Sequence, residues 1–153
     1  MPLESKIYVL GNWLFNKFNL PANKTALGLH TDGVFYGDQL RVPVTPALCV
    51  ETGEVEREGN YIGSGGMRKV DVNMDINLLV YHSKVTDTET NRRDLDQMLD
   101  RIEDFIHADM HMEDQVLWSL CTRIEPGYLT RDGSTMRAGR IVITIRSQEM
   151  LPC

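Results

Sequence analysis

The sequence predicts an α+β domain: an antiparallel sheet with one long strand, an N-terminal helix and a second amphipathic helix packed on one face, and a C-terminal β-hairpin. Three observations predict it. Residues 67–82 alternate Val70, Val72, Met74, Ile76, Leu78 and Val80 with Lys69, Asp71, Asn73, Asp75 and Asn77, the two-residue period of a strand with one buried face. Leu95, Met98, Leu99, Ile102, Phe105 and Ile106 instead recur at helical spacing, opposite Arg92, Asp96, Asp100, Glu103 and Asp104. Helical and strand patterns do not alternate regularly along the chain, which argues against a parallel βαβ arrangement. With 153 residues the chain makes one domain, 1–153, around one core.

In chain order, Ile7, Leu10, Leu14 and Phe18 form an apolar stripe, with Ser5 as N-cap and Pro21 as stop, and predict the first helix. Gly11 weakens this helix, and Trp13 and Phe15 lie off its stripe, so they need a second surface to bury them. Residues 33–50 mix aromatic and β-branched residues with Pro43 and Pro46, as edge or entry strands do. Within the acidic stretch 51–59, the segment bounded by Gly53 and Gly59 and followed by Gly63-Ser64-Gly65-Gly66 reads as a mobile insertion, and deleting Glu54 to Glu58 should leave the fold intact. The alternating strand follows. At ~3.3 Å per residue it spans about 50 Å, so it must bend or extend past the domain onto a neighbour. Thr86 to Glu89 is a capping box for the second helix. Val116, Trp118, Leu120, Thr122 and Ile124 make a strand that Glu125-Pro126-Gly127 breaks, and Ile141-Val142-Ile143-Thr144-Ile145 make its partner. Residues 128–139 read as a mobile loop, with Asp132-Gly133 as a type I′ turn.

Composition narrows function. A net charge of −6 and a pI near 5.2 oppose a protein that grips nucleic acid by its phosphates. The charge is uneven: residues 1–115 carry 11 basic and 19 acidic side chains, whereas 116–153 carry Arg123, Arg131, Arg137, Arg140 and Arg146 against three carboxylates. Such asymmetry suits self-association or a charged partner, the plain alternative being arginines on a solvated strand face. No apolar run reaches the ~18 residues of a membrane span, and the N-terminus does not read as a secretory signal, so a cytosolic folding compartment is expected. Cys49, Cys121 and Cys153 stand in no metal-ligand spacing and are expected to be two buried thiols and a free tail thiol.

Chemistry has one candidate. His107 and His111, four apart at the end of the second helix with Glu113 and Asp114 behind, have the spacing by which one helical face offers two imidazoles to a metal. Ala108 stands where a zinc protease would carry its general-base glutamate, and a histidine near a helix C-terminus is favourable through the helix dipole alone. The glycine-rich 63–66 segment lacks the Lys-Ser/Thr ending of a phosphate loop and precedes a strand. No cofactor and no bound metal are therefore expected. Asp71, Asn73, Asp75 and Asn77 project from one side of the long strand, as a solvated sheet face would also require.

The layout taken together resembles the tail terminator (tail completion) proteins of long-tailed bacteriophages. The resemblance covers most of the chain and rests on Val34-Phe35-Tyr36-Gly37-Asp38 leading to Thr45-Pro46-Ala47-Leu48-Cys49-Val50, the long alternating strand, the acidic amphipathic helix, and the closing hairpin from Glu125-Pro126-Gly127 to 140–145. It is a resemblance of layout, shared with other small neck and connector proteins, and the acidic Gly53 to Gly59 insertion with its glycine-rich neighbour departs from it. It implies a structural virion subunit, not an enzyme, that forms a six-fold homo-oligomeric ring on the last ring of the tail tube protein, halts tube growth and meets the head-side connector or stopper protein. The implied location is the head–tail junction of the virion, reached from the host cytoplasm during assembly, with DNA passing through and not specifically bound, and no membrane involved. Under this resemblance Asp71, Asn73, Asp75 and Asn77 are candidates for the channel lining. Arg123, Arg131, Arg137, Arg140 and Arg146 are candidates for subunit or tube contacts. The alternatives are a small metal-dependent enzyme using His107 and His111, another neck protein, or a plain binding module of the host.

Overall fold

A computed structural model of the chain describes residues 6–37, 44–62, 67–84, 88–131 and 134–152, with the backbone alone described at 6, 57–62, 67–70, 83–84, 88–92, 129–131, 134–136 and 149–152. Its elements run α1 (Lys6–Phe18), α2 (Pro21–Leu27), β1 (Val34–Tyr36), β2 (Ala47–Ile62), β3 (Met67–Lys84), α3 (Thr88–His107), β4 (Trp118–Arg131) and β5 (Ser134–Pro152). The fold is α+β, as the sequence predicts. The five strands form one sheet in the order β1-β2-β3-β5-β4, antiparallel except where β1 lies parallel to β2.

The covered face follows from the alternation. Val72, Met74, Ile76, Leu78 and Val80 of β3 and Ile141, Ile143 and Ile145 of β5 are buried in one cluster with Leu10, Leu14 and Phe18 of α1 and Leu95, Leu99, Ile102 and Ile106 of α3. Val70, also expected here, lies outside the described side chains. The two longer helices, α1 and α3, each approach the sheet at a glycine. A Cβ on Gly11 would stand 2.9 Å from Thr52 Cγ2 and 3.0 Å from Tyr36 Oη, and one on Gly139 would stand 3.0 Å from Leu99 Cδ1. Gly11 therefore costs helix propensity and gains proximity. The off-stripe aromatics are covered from within the chain: Phe15 meets the Tyr36 ring edge-on at 6.1 Å, and Trp13 packs against the core cluster.

Several local expectations are corrected. The first helix stops before Pro21 as expected, at Phe18, but Pro21 also opens a short helix that was not expected, α2, where its missing N–H costs nothing, and Gly28 at φ 76° closes that helix. The acidic stretch 51–59 is not an insertion: it lies inside β2, paired with β3 from Glu51↔Asn77 to Glu58↔Asp71. Register shifts between Thr52 and Val55 and between Glu58 and Tyr61 absorb the extra residues as bulges, which is why its polar pattern does not alternate. Glu125-Pro126-Gly127 does not break β4, because Pro126 pairs with Gly139 on an edge strand, where a missing N–H can face outward. Residues 128–131 and 134–139 are likewise paired strand and not loop, out to Arg131↔Ser134. The Asp132-Gly133 turn, the Ser5 and Thr86 caps, the glycine-rich 63–66 segment and Cys153 lie outside the described residues.

Strand length is the dominant geometric fact. At ~3.3 Å per residue the 18 residues of β3 span about 60 Å, whereas the 20 residues of α3 rise about 30 Å. No helix among the described residues is long and apolar enough to cross a membrane.

Candidate functional site

Along 71–77 the second face of the sheet carries the polar halves of the alternating patterns, whereas at its other end Ala47, Cys49, Tyr81 and Ala138 form a second buried apolar cluster. Asp71, Asn73, Asp75 and Asn77 of β3 form its central row, and the register sets Gln148, Arg146, Thr144 and Val142 of β5 directly opposite them. Glu51 and Glu56 of β2 flank the row on one side, and Leu120, Arg123 and Glu125 of β4 lie beyond β5 on the other. The face is thus acidic toward β2 and basic toward β4.

Cross-strand pairs knit its middle together. Arg146 Nη2 donates to Asp71 Oδ2 at 2.9 Å and its Nη1 to Asn73 Oδ1 at 3.4 Å, while Gln148 Nε2 donates to Asp71 Oδ1 at 3.0 Å. The Thr144 hydroxyl donates to Asp75 Oδ1 at 3.3 Å and accepts from Thr122 at 2.9 Å. On the hairpin, Glu125 lies between two guanidinium groups, 2.8 Å from Arg140 Nη2 and 2.9 Å from Arg123 Nε. One carboxylate between two arginines leaves that corner positive.

The candidate residues divide accordingly. The four β3 residues share one face, as expected, but Arg146, expected at a separate contact surface, sits among them as the ion-pair partner of Asp71, which is only 7% exposed. Arg137 is corrected as a contact residue: it is 2% exposed, with its guanidinium carbon 4.1 Å from the centre of the Tyr128 ring, so it serves the hairpin's own packing. Arg123 and Arg140 remain at the surface, Arg123 with 69% of its side chain exposed. The Arg131 side chain lies outside the described residues.

The histidine pair does not form the expected site. α3 ends at His107, so His111 no longer shares its helical face. His107 Nε2 accepts the Cys121 backbone N–H at 3.1 Å, and His111 Nδ1 donates to the Leu117 carbonyl at 2.8 Å. Both rings are committed to holding the start of β4. Among the described residues no three of His, Cys, Asp and Glu stand together to hold a metal ion. Cys121, beside them, has its thiol pushed up to about 12, first by burial and then by the charge of Glu103, so it is a poor nucleophile. Cys49 is buried.

One feature escapes sequence reasoning. Met112, Glu113 and Asp114 adopt three successive left-handed conformations, at φ 49°, 56° and 62°. This turn presents Glu113 to α1, where it accepts from Trp13 Nε1 at 3.0 Å and pairs with Lys17 Nζ at 3.1 Å. Those two contacts, the Trp13 hydrogen bond first, hold its carboxyl below the usual range. Beneath them lies a cavity of about 160 Å³ lined mainly by Leu14, Phe105, Ile106, Met112 and Ile143. The only sequence signal was Trp13 standing off its stripe.

No protein-family model matches the chain, and no curated protein matches it significantly in sequence.

Proposed function

We propose that the chain is a structural subunit of a phage neck, a tail terminator that assembles as a six-fold ring on the tail tube, stops its growth and joins it to the head-side connector while DNA passes through. The observation that carries this reading is a sheet whose longest strands, β3 and β5, run about twice the length of the longest helix, with charged and amide side chains along the 71–77 stretch of the face away from the helices. A strand that outruns its own helical layer is suited to contact a neighbour, and a charge-divided surface suits repeated contacts between copies. The six-fold symmetry, the tube and the connector come from the resemblance in layout.

Particles made without this protein test the reading. Over-long or unjoined tails are the expected outcome, and tails of normal length firmly attached to heads would overturn it. The channel-lining role belongs to the same proposal at Asp75, Asn73 and Asn77: a face carrying carboxylate and amide groups would not hold a passing phosphate backbone as lysines would, whereas Asp71, nearly buried beneath Arg146, is withdrawn from that lining. Normal DNA ejection from particles carrying Asp75→Lys would remove that part alone.

A further inference from the structure

The sheet has two long edges of complementary character. On β4, the end of α3 and the turn after it cap the first part of the outer edge: the Ser119 N–H donates to the Met110 carbonyl at 2.7 Å and the Cys121 N–H to His107 Nε2 at 3.1 Å. The register shift between Cys121 and Arg123 follows, and from there, among the described residues, nothing pairs with the outer side of 123–131. On β2, β1 covers only Leu48, Cys49 and Val50, and among the described residues nothing pairs with 51–62 on the side away from β3. An uncovered strand edge offers a row of N–H and C=O groups to another chain.

We infer that the uncovered part of β4 pairs antiparallel with β2 of a second copy of this chain, so that successive copies share one continuous sheet. This rests on the ring reading above and supplies its subunit contact. Direction agrees: three antiparallel steps separate β2 from β4, so a copy set alongside by rotation about an axis along the strands brings its β2 antiparallel to β4. Length agrees, since both segments exceed a usual strand of ~5–6 residues. Charge agrees as well. Glu51, Glu54 and Glu56 are exposed on β2, whereas Arg123 and Arg140 share a single carboxylate at the β4 edge. In a continuous sheet Arg123 and the neighbour's Glu51 and Glu56 fall on the same face, and residues opposite one another there stand ~4.5–5.5 Å apart. The contact joins two different edges, so rotation can repeat it and close it into a ring, whereas a β4-to-β4 contact would stop at a dimer.

The test uses the full chain with Cys153→Ser, carrying Glu56→Cys and Arg123→Cys together or singly, treated with a short bismaleimide under assembling conditions. The pairing predicts a cross-linked ladder beyond dimer from the double variant and almost none from either single one. Dimer from Arg123→Cys alone would overturn it in favour of β4 against β4. In parallel, Arg123→Glu should raise the concentration for half-assembly roughly ten-fold, and Glu51→Lys with Glu56→Lys in the same chain should bring it back. Assembly without the ladder, or without charge rescue, overturns the edge pairing and leaves the ring reading standing. Absence of any assembly, free or on tail tubes, overturns both.

Discussion

The two faces of this sheet are built by the same strands and meet opposite demands. Under the helices, Ile76, Leu78, Ile141 and Ile143 are shut away from solvent and held by close packing. On the other side, Asn73, Asp75, Thr144 and Arg146 are only partly covered, and they satisfy one another in pairs across β3 and β5. Stability therefore resides chiefly on the covered face, where removal of apolar area has no substitute, and away from the buried Ala47, Cys49 and Tyr81 cluster the open face is free to be chosen for its contacts. Even the open face is uneven, because Asp71 is nearly buried beneath Arg146 and Gln148 while Glu51 and Glu56 stand in solvent.

The comparison breaks most sharply at Ile102. Its truncation to alanine should cost about 2–5 kcal/mol, read as a shift in the denaturation midpoint, whereas Asn77→Ala on the open face should stay within about 0.5 kcal/mol. Equal effects would mean that the open face carries as much of the fold as the core. Arg146→Ala comes next: it strips a charged hydrogen bond from a carboxylate with little access to water, and a loss of about 1–3 kcal/mol is expected in the same assay. Gly11→Ala sharpens the covered side. The better helix former should gain up to about 1 kcal/mol in propensity but must displace Thr52 and Tyr36, so a net loss near 1 kcal/mol is expected, measured by thermal unfolding. The smallest effect concerns Glu113. Its carboxyl titrates lower in the folded chain than in the unfolded one, so its stabilisation is present above the unfolded value and fades as pH falls through the folded one. Glu113→Gln, which mimics the protonated acid, should therefore lower the neutral plateau slightly, flatten part of the acid limb of a stability–pH curve and leave the most acidic points nearly unchanged.

How far the fold was legible depended on whether one rule governed a segment. The covered faces of β3 and α3 were legible because burial alone spaces Val72 to Val80 and Leu95 to Ile106. β2 was not, because its exposed glutamates and two bulges erase the two-residue period, and polar residues around Gly53 read as loop. Pro126 misled for a related reason, since a proline breaks a central strand but sits comfortably on an edge, and edge position depends on the finished topology. At the candidate site, the shared face of Asp71, Asn73, Asp75 and Asn77 was legible from alternation. Their link to Arg146 was not, since it spans 75 residues of sequence and follows from strand register. The roles of His107 and His111 were hidden too, because a helix that stops at 107 converts a spacing into two unrelated contacts.

The way α3 ends also sets a ruler. Because side chains alternate, a strand laid against β4 one residue out of frame would turn every charge it carries to the wrong side. With the amides of Ser119 and Cys121 already occupied and a bulge just beyond them, an incoming strand meets a fixed stop, and its frame is counted from there. His107 and the Met110 carbonyl thereby act as a phasing mark, and loosening them would blur alignment before it weakened the domain.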